Sequence, residues 1–233
     1  MQWCDSMTAM GGMVWMRAPG QSWPGAAISF LGMWAVMMVA MMLPALVPML
    51  AQYRRSLGRQ PRMRAALSMT CAAMGYFFVW SAWGAIAYPL GAGLTALQMR
   101  QPELARIAPF GIDLVILAMG ALQFTAWKAR QLTCCRQAGC VGLRAPSDAG
   151  LPAQVRSAGR QGLRMGVLCS RCCAGPTMIL LVTGVMDLRA MAVVMAGITV
   201  ERLAPAHERV ARATGAIAVG TALYRMARTT LIS

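Results

Sequence analysis

The stretch AAISFLGMWAVMMVAMMLPALVPML, from Ala26 to Leu50, contains no charged residue. An α-helix needs about 20 mostly apolar residues to cross the hydrocarbon core of a bilayer. Inside the bilayer the backbone has to satisfy its own hydrogen bonds, so a segment of this kind is expected to be helical. The stretch therefore predicts a transmembrane helix and, with it, an integral membrane protein.

Five further apolar segments predict the other helices of a bundle. The six predicted spans cover residues 26–50, 67–88, 110–127, 163–186, 188–203 and 210–224. No alternation of period two, which would indicate a barrel, is present. The sequence therefore predicts an all-α fold, a polytopic transmembrane helix bundle of about six spans whose partner is the lipid bilayer.

The composition agrees with this fold. The chain has 233 residues, of which 58% are hydrophobic and 12% are charged, and its mean hydropathy is +0.54. A soluble domain carries about 25% charged residues. A formal net charge of +15 with so few charges is typical of apolar spans joined by basic loops. Nucleic-acid binding is excluded as the reason for the charge, because the arginines lie between apolar runs and are not interleaved with aromatic residues.

Positive charge also predicts the orientation, because cytoplasmic loops carry an excess of Lys and Arg. With the N-terminus outside, the inner loops contain most of the basic residues of the chain. These residues are Arg54, Arg55, Arg59, Arg62, Arg64, Lys128, Arg130, Arg136, Arg144, Arg156, Arg160, Arg164, Arg202, Arg209 and Arg212. The sequence therefore predicts an N-out, C-out topology in a bacterial-type inner (plasma) membrane.

The predicted spans divide the chain into four segments. Residues 1–25 form a Met-rich extracytoplasmic tail and residues 26–127 a three-helix first half. Residues 128–162 form a basic cytoplasmic loop, and residues 163–233 form a three-helix second half with a cysteine motif. Because the loop contains Gly, Pro and Ser among its arginines, it is expected to be a flexible link.

A cysteine motif opens the fourth predicted span. Cys169, Cys172 and Cys173 are spaced i, i+3 and i+4, which places them on one face of a helix. Thiolates at this spacing can bind one soft metal ion, Cu(I) before Zn(II), and a CxxC pair can also cycle between dithiol and disulfide. Cys134 and Cys135 follow the third span and are weaker candidates for the same site. Any of these cysteines can instead be a small apolar residue of the core.

Methionine is abundant, with 22 residues in the chain. A group in the first span consists of Met37, Met38, Met41 and Met42. A group in the N-terminal tail consists of Met7, Met10, Met13 and Met16. Thioethers are neutral soft ligands that select Cu(I), so both groups are candidate metal ligands. A helical stripe of methionines can also serve only as packing, and both interpretations stay open.

Ionisable residues within predicted spans usually have a function. Asp113 and Glu201 lie near the ends of two spans. Glu201 can pair with Arg171 or with its neighbour Arg202, carry a proton, or act as a hard ligand, so it is a further candidate at the metal site. His207 is the only histidine, which argues against a histidine-rich catalytic zinc site.

Two parts of the chain match the motifs of a known family. The segment WAVMMVAMMLP from Trp34 is similar to the pattern W-x-x-M-x-x-A-M-M-L-P. The segments CSRCCAG from Cys169, GVMDLR from Gly184 and ERL from Glu201 are similar to the patterns G-C-C, G-V-M-N and E-K/R-L. With these motifs the chain resembles the predicted metal-binding integral membrane proteins called domain of unknown function 2182. In this chain Asp187 replaces the Asn of the family pattern.

The resemblance runs from about Phe30 to Ala218 and implies a helical membrane protein that binds metal at the Cys and Met positions. The leading hypothesis is a membrane protein that binds or handles a soft metal ion, copper before others. The outer methionines would capture Cu(I), those of the first span would pass it inward, and the cysteine motif would hold it.

Two alternative functions stay open. One is a membrane thiol–disulfide oxidoreductase that uses Cys169 and Cys172, and the other is a structural or assembly subunit whose Cys and Met residues only pack. No nucleophile triad, phosphate loop or dinucleotide fingerprint is present in the sequence. Apart from the oxidoreductase alternative, the sequence therefore offers no catalytic motif, and whether the chain is an enzyme stays uncertain.

Overall fold

The structure, a computed structural model, describes residues 15, 20–58, 60–137, 150–184, 187–204 and 207–232. These residues form seven helices and no strand, so the predicted all-α fold is confirmed for them. In chain order the helices are α1 Trp23–Ser56, α2 Arg62–Arg100, α3 Pro102–Leu122, α4 Ala126–Gln137, α5 Leu151–Thr183, α6 Leu188–Leu203 and α7 His207–Ile232.

Four of these helices, α1, α2, α3 and α5, are long and apolar enough to cross a membrane by length and composition. Helix α6 has 16 residues, fewer than the roughly 20 that a crossing usually needs. Helix α7 has 26 residues but carries arginines near both ends. The membrane-spanning character is thus supported for four helices, while the number six and the N-out orientation are not confirmed.

Two segments predicted as loops contain helix. Gln101 alone separates α2 from α3, although the sequence predicts an outer loop over residues 89–109. The predicted cytoplasmic loop 128–162 is helical at both ends, in α4 and in the first turns of α5, and residues 138–149 lie outside the described part. Both segments are rich in Ala, Leu, Gln and Arg. These residues form helices well without the long apolar run that marks a span.

The helices are grouped into two compact units. Unit 1 combines Met1–Phe30, Ala85–Lys128 and Cys173–Ser233, as far as these residues are described. Unit 2 combines Leu31–Gly84 and Ala129–Cys172. Each unit is assembled from segments that are distant in the sequence. The predicted division into consecutive halves stays a prediction.

Glycines bring two helices of unit 2 into backbone contact. A Cβ atom added to Gly162 of α5 would overlap the carbonyl group of Ala72 on α2. One added to Gly75 would lie 2.6 Å from the carbonyl oxygen of Gly159. Membrane helices associate through close packing of small residues, because lipid gives no hydrophobic drive between helices. Gly162 and Gly166 form a GxxxG pair, so this motif sets how α5 lies against α2.

An indole ring anchors α1 to α2 in the same unit. Trp34 is buried, and its Nε1 donates a hydrogen bond of 2.9 Å to the carbonyl oxygen of Trp80. The ring lies against Gly84, where a Cβ atom would collide with it. A tryptophan can be buried this deeply because its N–H finds a partner. The contact fixes the rotation of α1 and hence the face that it turns inward.

Unit 1 contains an antiparallel pair, α3 and α7. Arg225 Nε donates to Asp113 Oδ1 over 2.6 Å, and Gly120 lies against Val219. A Cβ atom added to Gly215, about one turn before Val219 on α7, would lie 2.9 Å from the carbonyl oxygen of the same Gly120. The positions on α7 thus fall as those on α3 rise, which makes the two helices antiparallel. Helix α6 also packs against α7.

Asp187 begins α6 as its N-cap residue. Its carboxylate accepts hydrogen bonds from the backbone N–H groups of Arg189 and Ala190, at 2.8 and 3.3 Å. Asp and Asn cap helices about equally well. The replacement of the family's Asn by Asp at this position therefore preserves the start of the helix.

Candidate metal centre

Four methionines of α1 form a buried group that we call the Met stripe. The Met stripe consists of Met37, Met38, Met41 and Met42. Met38 is 1% exposed, whereas Val36 two residues earlier is 72% exposed. Val39, Leu43 and Val47 are also exposed. These Val and Leu side chains of α1 therefore face outward, whereas the Met stripe faces the interior of unit 2, where Leu46 is also buried.

The cysteine motif is buried as well. Helix α5 is continuous from Leu151 to Thr183, so Cys169, Cys172 and Cys173 lie on successive turns of one helix, and all three are buried. None of the described cysteines forms a disulfide. Two of the three, Cys169 and Cys172, belong to the same compact unit as the Met stripe.

Tyr76 holds the first cysteine of the motif. Its hydroxyl group and Cys169 Sγ are 2.9 Å apart and share a hydrogen bond in a fully buried position of unit 2. The sequence analysis missed this residue. The available signal was a tyrosine in the middle of an apolar span, because a buried phenol usually needs a hydrogen-bond partner.

Arg202 is the guanidinium group at the last cysteine of the motif. Its Nη2 lies 3.7 Å from Cys173 Sγ, and both side chains are buried in unit 1. The sequence interpretation instead gave attention to Arg171, which stands among the cysteines in the chain. Arg171 is exposed, so its side chain points away from the buried face of α5 that carries the cysteines.

Glu201 pairs with Lys128 rather than with Arg171 or Arg202. Lys128 Nζ lies 3.0 Å from Glu201 Oε2, and both side chains are 3% exposed. Thr214 and Gln123 donate to Glu201 Oε1 over 2.6 and 3.2 Å. These donors occupy the oxygens that a metal ion would need, which argues against Glu201 as a ligand.

The sequence analysis counts Lys128 among the basic residues of the inner loops, whereas the structure buries its side chain beside Glu201. Lys128 is the only lysine of the chain, and every other residue in the count of Lys and Arg is an arginine. A compact ammonium group on a flexible stem suits a narrow buried site, where a planar guanidinium would need more room. The rarity of lysine was therefore a usable signal for a special environment.

The other predicted ligands divide by exposure. On α4, Cys135 is buried and Cys134 is exposed. The methionines of the N-terminal tail and Cys140 lie outside the described residues. Within the part that the structure describes, no three or more His, Cys, Asp or Glu side chains are grouped so that they could hold a metal ion. A metal site made of Cys169, Cys172 and Cys173 alone stays a prediction.

Unit 2 does contain a chemically uniform set of soft donors. Met165 is fully buried one helical turn before Cys169, and the sequence analysis did not propose it as a ligand. Together with the Met stripe, Cys169 and Cys172, it gives the interior of this unit thioethers and thiols. Sulfur donors of this kind favour Cu(I) over hard cations such as Mg²⁺ or Ca²⁺.

A family model described as PpoB2, copper chaperone, matches residues 31–224. This range contains the Met stripe and the whole cysteine motif. The match supports the metal-binding character implied by the sequence motifs, under a description other than domain of unknown function 2182. No curated protein and no solved structure matches the chain. Because the matching range covers most of the 233 residues, the chain belongs to the PpoB2 copper chaperone family.

Proposed function

We propose that this chain handles copper as Cu(I) and carries the ion on methionine and cysteine side chains in the interior of unit 2. The observation that carries the proposal is the inward orientation of the Met stripe, while Val36 and Leu43 of the same helix are exposed. Membership of a copper chaperone family supports copper as the cargo. Cu(I) prefers thioether and thiolate sulfur over oxygen donors.

Packing alone does not account for this arrangement. Leu or Ile would fill the interior of unit 2 with better-defined rotamers, since methionine is a flexible filler. The chain does use Val and Leu on the outward face of α1. Four inward methionines and the three buried sulfur residues of α5 that belong to unit 2, Met165, Cys169 and Cys172, therefore favour a ligand role.

The charge balance also suits a buried soft ion. One thiolate and one Cu(I) are together neutral, so their complex avoids the desolvation cost of an isolated buried charge. Thioethers add donors without adding charge. In this proposal Cys169 supplies the thiolate, and the Tyr76 hydroxyl, 2.9 Å from its sulfur, orients it. Such outer hydrogen bonds adjust how strongly a ligand holds its metal.

The proposal includes a six-span bundle in the plasma membrane with both termini outside. Helix α7 packs antiparallel along α3, which is one of the four helices apolar enough to cross a membrane. A helix that follows a membrane span along its length shares the depth of that span. Arg225 of α7 is neutralised by Asp113 at 2.6 Å, which lowers the cost of an arginine at that depth.

Copper titration of matched methionine variants tests the function. M38L/M42L replaces two of the four buried thioethers of the Met stripe. The control M74L/M99L replaces two methionines of α2 whose side chains are 68% and 69% exposed. Met-to-Leu conserves volume and usually costs less than about 1.5 kcal/mol of stability. We expect Cu(I) affinity, measured in detergent by anaerobic competition with a chromogenic chelator, to fall about tenfold or more in the first variant alone.

Cysteine variants provide the second arm. C169A/C172A removes the two buried thiols that α5 contributes to unit 2, and C134A removes an exposed thiol as a control. The first change is expected to abolish stoichiometric Cu(I) binding, and the control is expected to leave it unchanged. Wild-type affinity in both M38L/M42L and C169A/C172A would show that these residues only pack, and the copper site in unit 2 would be rejected.

A further inference from the structure

We propose that the first half of α5 carries a binding surface for the phosphate group of an anionic phospholipid. We call this surface the basic face, and it consists of Arg156, Arg160 and Arg164. The proposal goes beyond copper handling and does not depend on it. Its basis is the placement of these arginines, the charge of unit 2 and their depth along α5.

The three arginines share one side of the helix. They are spaced by four residues, which stacks them on successive turns, and all three are exposed. Ala158, Met165 and the other side chains of the opposite side are buried. The guanidinium groups therefore project away from the interior of unit 2 in a single row.

The charge of this row is not balanced by any carboxylate among the described residues of the same unit. The residues of unit 2 that the structure describes contain no Asp and no Glu. Further arginines stand near the same end: Arg54 and Arg55 close α1, and Arg62 and Arg64 open α2. Like charges at one end of a unit repel each other, and an anion from outside the unit lowers this repulsion.

A pair of hydrogen bonds fixes the start of α5 beside the start of α2. Gln154 Nε2 donates to Gln60 Oε1 over 2.8 Å and to Ser68 Oγ over 2.9 Å. This contact brings the first arginine of the basic face to the end of unit 2 at which the arginines of α1 and α2 stand. The anion therefore meets a preformed basic surface.

The depth of the basic face identifies the anion as a lipid headgroup. Arg164 precedes Thr183, the last residue of α5, by a length of about 28 Å at 1.5 Å per residue. This length matches a hydrocarbon core of about 30 Å, so Arg164 lies at its edge. Arg171, which is exposed about 10 Å farther along α5, would have to extend its long side chain back toward the same headgroups. Arg160 and Arg156 lie about 6 and 12 Å farther out, in the layer of the phosphates.

Exposed aliphatic side chains support a lipid over an acidic protein. Leu163 and Val167 are exposed beside the arginines. At the edge of the hydrocarbon core such side chains contact acyl chains, while the neighbouring guanidinium groups reach the headgroups. A surface that binds an acidic protein would instead present polar neighbours around its arginines.

Lipid-dependent thermal stability tests the proposal. The protein in mild neutral detergent is mixed with short-chain phosphatidylglycerol, short-chain phosphatidylcholine or glycerol 3-phosphate, and Tm is followed by tryptophan fluorescence. The variants are R156Q/R160Q/R164Q, the charge-preserving R156K/R160K/R164K, and the control R106Q/R189Q/R228Q. The control removes the same charge from exposed arginines of unit 1.

Phosphatidylglycerol is expected to raise Tm of the wild type by several degrees at a concentration at which phosphatidylcholine and glycerol 3-phosphate have no effect. The apparent affinity should fall tenfold or more in the triple Gln variant, persist in the triple Lys variant and in the control, and weaken in high salt. A Gln variant whose lipid-free Tm is unchanged but whose response equals the wild type overturns the proposal.

Two other results also overturn the proposal. Equal stabilisation by both lipids would leave an acidic protein segment as the partner that fits the charge. Equal stabilisation by glycerol 3-phosphate would assign the surface to a soluble anion.

Discussion

The hydrogen bond between Tyr76 and Cys169 is the contact through which a single hydroxyl group can control the proposed ligand. Y76F removes that hydroxyl and leaves the ring in place. We expect Cu(I) affinity to fall about tenfold, the lower end of the effects produced by removing outer-shell partners of metal ligands. The ultraviolet charge-transfer band of the Cu(I)–thiolate bond is expected to shift as well, which a purely structural loss would not cause.

Tyr88 offers a matched control for this change. Its ring is buried, but its hydroxyl group has no hydrogen-bond partner among the residues that the structure describes. Y88F should therefore leave both the affinity and the charge-transfer band unchanged. Equal effects of Y76F and Y88F would mean that loss of packing, and not the contact with Cys169, explains the result.

The ion pair between Lys128 and Glu201 is buried on both sides. E201Q removes the carboxylate charge that lies 3.0 Å from the ammonium group of Lys128, where both side chains are 3% exposed. Removing one partner of such a pair costs about 3–5 kcal/mol. The double variant K128M/E201Q removes both charges and is expected to recover at least half of that loss. Thermal unfolding in detergent, read by circular dichroism, measures both effects.

The exposed pair of Glu103 and Arg106, 3.5 Å apart, is the control for the buried pair. E103Q should leave Tm unchanged, because exposed ion pairs contribute little to stability. A double variant that is less stable than E201Q would contradict the prediction, since it would show that Lys128 does not need the carboxylate.

At the scale of the helices, Gly162 is the residue on which the packing of α5 against α2 depends. A Cβ atom at this position would overlap the carbonyl group of Ala72, so G162A has to separate the two backbones or unfold them. We expect a loss of about 2 kcal/mol or more, similar to other overpacked positions. Tm in mild detergent and the monodispersity of the sample measure the effect.

Gly159 lies one turn earlier on the same helix, and no atom stands within 4 Å of the position that a Cβ would take. G159A should therefore be neutral or slightly stabilising, because Ala is favoured over Gly in a helix by about 1 kcal/mol. Similar losses in G159A and G162A would indicate that α5 tolerates no side chain at either position, against the packing described for unit 2.

The helices also show how far the sequence could predict the fold. Helix α1 could be predicted from the sequence because its apolar run has no charged residue to interrupt it. Helix α4 and the starts of α2 and α5 could not be predicted in this way, since arginine-rich helices have the hydropathy of loops although their residues favour helix. Hydropathy detects burial in lipid, and a helix that leaves the lipid gives no such signal.

The candidate site shows the same division. The sequence identified the buried sulfur residues by their chemistry, because soft donors at helical spacing are visible along one chain segment. It could not identify the polar partners, since these come from other helices: Tyr76 is 93 residues from Cys169 and Arg202 is 29 residues from Cys173. Spacing predicts which residues share a face, but tertiary packing decides what that face meets.

Across the whole chain, acidic and soft residues are distributed differently between the two units. The buried carboxylates Asp113 and Glu201 lie in unit 1, and each is paired with a basic side chain. The described residues of unit 2 contain no carboxylate, and their interior holds the Met stripe and the buried thiols of Cys135, Cys169 and Cys172. A soft ion in unit 2 therefore meets no hard oxygen ligand from an Asp or Glu among the described residues of that unit.

The proposed six-span topology makes a prediction for reporter fusions along the chain. Alkaline phosphatase is active only outside the plasma membrane. With the N-terminus outside, fusions after Gln101 and Ile232 should be active, and one after Gln137 should be inactive, because three crossings precede it. A fluorescent protein that matures only inside should give the opposite pattern.

The fusion after Ala204 decides the number of crossings, since the C-terminus lies outside for four spans and for six. If α6 crosses the membrane, this fusion is inactive, although α6 has only 16 residues. An active fusion would place α6 and the start of α7 outside. Lys128 and Glu201, 3.0 Å apart in unit 1, would then have to share a location that the inactive fusion after Gln137 assigns to the inner side. The same experiment thus tests whether the ion pair and the six-span bundle are compatible.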